Sequence, residues 1–149
     1  NPTPTPTPTP SPTPTGGSGG SAYGTIEAEA ASTSKGATIG SSAVTDLGNG
    51  DWLKYAKVDF GAAAPAKQFV AKVASGAGGG VSGLVEVRLD SATSPVIGSF
   101  AVGNTGGWTS WRTIPANIGG TSGVHDVYIT FTSGQPADFV AIDSLTFGR

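Results

Sequence analysis

Glu27 and Glu29 are the residues whose type and spacing most directly raise a question of chemistry. Residues two apart on an extended strand project to the same face about 7 Å apart, and two carboxylates held so repel unless a positive charge joins them. A hard cation such as calcium, which takes about six to eight oxygen ligands in loose geometry, would relieve the conflict. Solvation of both acids on an exposed strand would do the same, and a third acid is needed to decide. Enzyme chemistry finds less support. Ser-His-Asp catalysis has one imidazole available, His125 in Gly123-Val124-His125-Asp126, with no Gly-x-Ser-x-Gly elbow beside it. A turn or strand-edge histidine, hydrogen-bonded locally, is the expectation. The absence of cysteine removes thiolate nucleophiles, thiolate metal sites and disulfides together. The ten acids are spread mostly over strand edges and turns, which argues against a dedicated pair for glycoside hydrolysis. A non-catalytic module is expected, with a small glycoside hydrolase as the alternative.

The elements that must position these residues are strands. Thr25–Ala30 alternates small or apolar residues with acids, and the same period of two runs through Phe69–Val73, Val85–Asp90 and Val127–Phe131. Trp52–Phe60, Pro95–Val102, Trp108–Ile114 and Phe139–Phe147 are shorter candidates, giving roughly eight to ten strands. Breakers such as Gly76–Gly80, Gly106-Gly107 and Gly119-Gly120 separate them, and no segment carries an apolar stripe at helical spacing. An all-β jelly-roll β-sandwich of two antiparallel sheets follows. Residues 23–149 are the expected module, long enough for one core. Residues 1–22 hold seven of the eleven prolines and no charge, and read as a Pro/Thr/Ser/Gly-rich interdomain linker. Such a linker implies a partner domain upstream and a secreted, extracellular protein. Eight bases against ten acids, a formal charge of −2, lack the electrostatic footprint of a nucleic-acid binder. No apolar run approaches the ~20 residues of a spanning helix, so neither nucleic acid nor membrane is an expected partner, and a monomer is expected.

Several blocks occur in an order that resembles family 6 carbohydrate-binding modules. They are Ile26-Glu27-Ala28-Glu29, Gly50-Asp51-Trp52-Leu53-Lys54-Tyr55 with Val58-Asp59-Phe60-Gly61, Val73-Ala74-Ser75-Gly76, Val85–Asp90, Gly106-Gly107-Trp108 with Trp111, Gly123–Tyr128, and Phe139–Phe147 with Asp143. The family is a jelly-roll sandwich appended to secreted polysaccharide-degrading enzymes. The resemblance supplies the third acid: it implies a structural calcium on Glu27, Glu29 and Asp143, with the Lys35 carbonyl as a further ligand. It also implies sugar binding, in which the C–H face of a pyranose stacks on an exposed ring while hydroxyls bond to polar groups.

Trp108 is the leading platform, because the first Trp of the family's Gly-Gly-Trp segment lines a cleft between loops, whereas Trp111 is assigned to packing. Two departures stand out. Asp46 occupies the nearest position to the family's second cleft aromatic, and Ala141 that of an Asn before the last Asp. Some members bind instead on the concave face of one sheet, and there the matching residues are Trp52 and Glu86, with Asp46 and Asn49 as nearby hydroxyl contacts. Trp52 buried and Glu86 paired with Arg88 is the competing reading. The expected ligands are β-1,3- or mixed-linkage glucan or xylan, bound to hold an attached glycoside hydrolase on its substrate; a structural spacer with a degenerate sugar site is the alternative.

Overall fold

The period-two segments fold as strands because alternate side chains can enter one core. The computed structural model describes residues 20–149; residues 1–19, the bulk of the expected linker, lie outside them. The strands are β1 (Ile26–Glu27), β2 (Thr33–Lys35), β3 (Thr38–Ile39), β4 (Val44–Leu47), β5 (Trp52–Asp59), β6 (Ala66–Ser75), β7 (Gly83–Leu89), β8 (Gly98–Val102), β9 (Gly107–Thr121), β10 (Val124–Thr132) and β11 (Val140–Gly148). One sheet has the order β2-β5-β10-β7-β8. The other has the order β3-β4-β11-β6-β9, with β1 also bonded to β11. Pairing between these strands is antiparallel throughout. The fold is the expected all-β sandwich.

The inner faces meet in a core of Leu53, Tyr55, Val85, Val87, Val127, Ile129 and Phe131 from one sheet against Phe69, Ala71, Val73, Ile142, Leu145 and Phe147 from the other. Aromatic rings cross this interior in contact: Phe60 to Phe147 at 4.9 Å between centroids, Phe147 to Phe69 at 5.3 Å, and Phe69 to Phe100 at 5.9 Å. Edge-on and stacked pairs of this kind add about 0.5–1.5 kcal/mol each beyond their buried area. Packing begins before the expected boundary at residue 22. Ala22 is fully buried, its N–H donates to the Asp59 carbonyl, and its own carbonyl accepts from the Phe147 N–H. The folded module therefore includes at least Gly20–Ala22.

Two departures from even pairing shape the functional regions. Thr25–Ala30 is not one strand: β1 stops at Glu27, and Ala28–Ala30 form a 3₁₀ turn. Strand β9 leaves β6 between the pairs Val73–Arg112 and Ser75–Gly107, so four residues of β9 oppose one of β6. The nearly buried Thr105 fills that gap. Its hydroxyl accepts from the Ser75 N–H at 2.8 Å and donates to the Ser110 carbonyl at 2.7 Å. Removing it orphans a buried donor and an acceptor at once. Thr105→Val is expected to lower unfolding free energy by about 1–3 kcal/mol, measured by urea titration.

Candidate functional site

The first cluster lies where β1 meets β11. Ligand oxygens of Glu27, Glu29 and Asp143 come within 4.8 Å of one another. Their convergence does not come from strand alternation. Glu27 ends β1, Glu29 sits in the 3₁₀ turn, and Asp143 is an extra residue of β11 inserted between the pairs Ile142–Val73 and Ser144–Lys72. Such a bulge re-aims one side chain out of the pleat. Lys72 Nζ reaches Asp143 at 3.4 Å, one cation against three acids. Partial burial, then the charges of Glu29 and Asp143, push the Glu27 carboxyl above its usual range. Glu29 Oε1 is buried with no hydrogen-bond partner. The Tyr55 hydroxyl donates to the Ala28 carbonyl at 2.8 Å and fixes the turn between the two acids. Burial, and then the Glu29 charge, raises the Tyr55 phenol far enough to keep it a neutral donor. All-oxygen ligands, an unpartnered buried carboxylate oxygen and excess negative charge fit a hard divalent cation. Lys35 lies in β2, in the other sheet, paired with Trp52.

The second region is the outer face of the five-stranded sheet. Lys35, Trp52, Thr130, Glu86 and Ser99 are successive register partners across β2, β5, β10, β7 and β8, so their side chains form one row on that face. Trp52 is half-buried, against Tyr128 at 5.5 Å and 62° between rings. Glu86 does pair with Arg88, at 3.3 Å, yet it stays on this face. Its Oε1 also accepts from Thr130 Oγ1 at 3.1 Å and from Thr132 Oγ1 at 2.7 Å. Three donors thus hold one carboxylate oxygen of a side chain that is itself largely buried. Next to the row lies a groove of about 470 Å³ lined by Leu84, Ala101, Thr132 and Gln135. Thr130, Thr132 and Tyr128 were not singled out by residue type; their register with Glu86 and Trp52 is the signal that finds them. Asn49 is exposed, and its Oδ1 accepts from the Ser133 N–H at 3.0 Å, so it ties two loops together.

The third region holds Trp108, which is 42% exposed. It begins the excursion of β9, and its indole lies against Gly76, where an added Cβ would stand 2.6 Å from Trp108 Cδ1. Trp108 shares a groove of about 150 Å³ with Thr45 and Asp46. Asp46 thus lines the groove of Trp108, in keeping with its place at the family's second cleft aromatic, and it is not in the Trp52 row, a correction to its expected role there as a hydroxyl contact. The cause is a second irregularity: between the pairs Leu47–Val140 and Val44–Ile142, β4 places Thr45 and Asp46 against Ala141 alone. Asp46 adopts φ +60°, a left-handed conformation that Asp tolerates better than most residues. Ala141 is fully buried and offers the groove no side-chain donor. Trp111 is half-buried and stands outside the main core cluster. His125 has the local role expected of it, with Nδ1 3.1 Å from Asp90 Oδ2 and Nε2 2.9 Å from the Ser122 carbonyl.

An oriented carboxylate beside paired rings on an open sheet, and an indole in a shallow groove, characterise a carbohydrate-binding β-sandwich. The chain belongs to carbohydrate-binding module family 6, whose sequence profile matches residues 18–149. It is 41% identical over 112 residues to an arabinoxylan arabinofuranohydrolase of Paenibacillus polymyxa, covering 75% of this chain and 17% of that protein. It is 35% identical over 101 residues to endo-1,4-beta-xylanase A of Thermoclostridium stercorarium, covering 68% of this chain and 18% of the relative. The chain thus spans under a fifth of either enzyme. Among solved structures, a family 6 module of Clostridium cellulolyticum in complex with xylose superposes with TM-score 0.77 and 35% identity, over 87% of this chain and 99% of that one. A β-1,3-glucan-binding family 6 module of Bacillus halodurans gives 0.75 and 31%, over 87% and 98%.

Asp138 lies against Gly48, and burial, then the charges of Asp46 and Asp51, raise its carboxyl above the ordinary range. A carboxyl raised on folding contributes stability at pH values below its unfolded value, and that contribution is lost as pH rises through the folded one. Asp46→Asn relieves part of the repulsion. It should raise Tm at neutral pH and leave Tm unchanged below the carboxylate range, as read by thermal scans at both pH values.

Proposed function

We propose that this module binds β-linked polysaccharide, xylan or β-1,3- or mixed-linkage glucan, across the outer face of its five-stranded sheet. The observation that carries this reading is the row that sets Glu86 two strands from Trp52: three donors fix Glu86 Oε1 in a residue that is 8% exposed, and its other oxygen is the one that would accept from a sugar hydroxyl. Adjacent strands lie about 4.8 Å apart, so Trp52 and Glu86 are separated by roughly 10 Å, close to two pyranose units of an extended chain. One end of a disaccharide then stacks on Trp52 while the other hydrogen-bonds to Glu86. The relatives' names, two enzymes acting on xylan-type substrates, put xylan first among the candidates. The module has no catalytic role of its own in this reading. It holds a covalently attached glycoside hydrolase on its substrate outside the cell.

Stacking on one or two rings, with few charged contacts, corresponds to micromolar to millimolar affinity, about −8 to −4 kcal/mol. Affinity electrophoresis through gels containing xylan, laminarin or lichenan tests the face directly. Retardation in at least one gel is expected, abolished by Trp52→Ala and reduced about tenfold by Glu86→Gln. No retardation in any gel would refute the sheet site and favour the spacer, whereas retardation unaffected by both substitutions would refute the sheet site and place binding elsewhere on the module.

Calcium is the cation we propose for Glu27, Glu29 and Asp143, with the Lys35 carbonyl as a further ligand. It would tie the first strand to the last and supply no chemistry to the ligand. At one hundred times its dissociation constant a native-state ligand stabilises by about 2.7 kcal/mol. Calcium should therefore raise Tm, and Glu29→Gln and Asp143→Asn should erase the increment. An unchanged Tm after verified metal removal would contradict the assignment.

A further inference from the structure

The outer face of the five-stranded sheet carries a second row beside the first. Thr132, Leu84 and Ala101 are register partners across β10, β7 and β8, each two residues along its strand from Thr130, Glu86 and Ser99. Residues two apart on a strand share a face, so this row runs parallel to the first and roughly 7 Å from it. The groove of about 470 Å³ sits on the second row. Its floor is apolar: Leu84 is 38% exposed, and Ala101 is exposed beside it. Its rim is polar and built. Gln135 Oε1 accepts from the Ser82 N–H at 3.1 Å, Gln135 Nε2 donates to the Gly80 carbonyl at 2.9 Å, and Ser133 Oγ donates to the Ser82 carbonyl at 2.6 Å. These bonds fasten two loops to each other, so the chain itself sets the groove's shape and spares a ligand the cost of ordering it.

No charged side chain lines the groove, and Glu86 next to it is engaged by Arg88. A sugar bearing a carboxylate or an ammonium group would lose hydration there and find no counter-ion. A neutral sugar can set its C–H face on Leu84 and turn its hydroxyls to the rim. The volume is near the lower end of the about 300–1,000 Å³ typical of small-molecule sites, which suits one sugar and its linkage. A backbone laid from Trp52 over Glu86 continues towards Ser99 and passes beside the groove, because the two rows are parallel. Whatever enters the groove must therefore leave that backbone sideways.

We infer that the groove receives a single uncharged sugar branch, so that the module prefers a xylan carrying neutral pentose side groups to a linear xylan. The preference rests on the sheet-face site proposed for the backbone and names the class of polymer that face selects. The backbone unit held by Glu86 is the one that carries the branch. Leu84 and Ala101 supply the contact surface, and Gln135 is a positioning residue that keeps the rim in place.

Isothermal titration of the whole chain with three xylotetraose ligands provides the test: the linear tetramer, the tetramer with one arabinofuranosyl branch on an internal unit, and the tetramer with one glucuronic acid branch there. The arabinose-branched ligand is expected to bind about fivefold more tightly than the linear one. The glucuronic acid branch should bring no gain. Ala101→Leu builds a side chain into the groove from the exposed edge strand, and Leu84→Asn removes the apolar floor at an exposed position; each should bring the arabinose-branched ligand down to the linear ligand's affinity. Equal affinity for branched and linear ligands, an equal gain from the acidic branch, or a gain that survives both substitutions would each overturn the branch preference. Failure of all three ligands to bind would overturn it too, leaving the gels to judge the sheet face. Affinity for the linear tetramer that neither Trp52→Ala nor Glu86→Gln lowers would instead overturn the sheet-face site, and the branch preference with it.

Discussion

Uneven pairing along β11 is the constraint on which the rest of this structure depends. That strand is hydrogen-bonded on both sides, to β6 along one edge and to β1 and β4 along the other. A central strand in perfect register would point its side chains alternately into the core and out to solvent, and nothing else. Two mismatches break that rule. The extra Asp143 opposite β6 carries a carboxylate to the two glutamates of the first strand and turn, and the extra residue of β4 opposite Ala141 carries Asp46 to Trp108. The β9 excursion adds a third, and Thr105 satisfies the backbone groups it would otherwise strand. In each case an irregularity places a functional side chain where regular sheet geometry could not.

Much of the fold was legible in the sequence, since period two is a statement about burial. Trp52–Phe60, Val85–Asp90, Val127–Phe131 and Phe139–Phe147 each overlap an observed strand closely. The short strands β2, β3 and β4 were not legible, because two to four residues give too few alternations to separate from a loop. The opening strand was overread: Glu27-Ala28-Glu29 alternates perfectly, yet Tyr55 binds the Ala28 carbonyl and helps fix a 3₁₀ turn. The meeting of the three carboxylates was legible through the family resemblance and not through spacing, because a bulge leaves no compositional mark. Asp46 shows the same limit. The family resemblance set it at the cleft of Trp108 and its sequence neighbours set it near Trp52, and only the paired strands distinguish the two.

The two surfaces also divide their electrostatics. On the sheet face Glu86 is paired with Arg88 and Lys54 with Asp126, with Lys54 lying 5.8 Å over the Tyr128 ring. Balanced, hydrogen-bonded charges present oriented acceptors without a strong net field, as suits a neutral polyol. Among the described residues no ion pair reaches Asp46, Asp51 or Asp138, and burial, then the charges of Asp46 and Asp51, raise the Asp138 carboxyl. A small, nearly neutral chain can thus hold regions of different electrostatic character, because screening confines each to about 8–10 Å.

The hydrogen bond from the Phe147 N–H to the Ala22 carbonyl sets where the polypeptide enters and leaves. Entry and exit lie side by side at the finishing end of β11, while Asp46 and Trp108 gather near Ala141 at its beginning, six residues or about 20 Å away. The module is a pendant rather than a rod: a leash attached at either terminus arrives at one pole, and the indole looks out from the other. Neighbouring domains could thus be tethered, or the whole sandwich spliced into a surface loop, without a covalent attachment crowding the opposite rim.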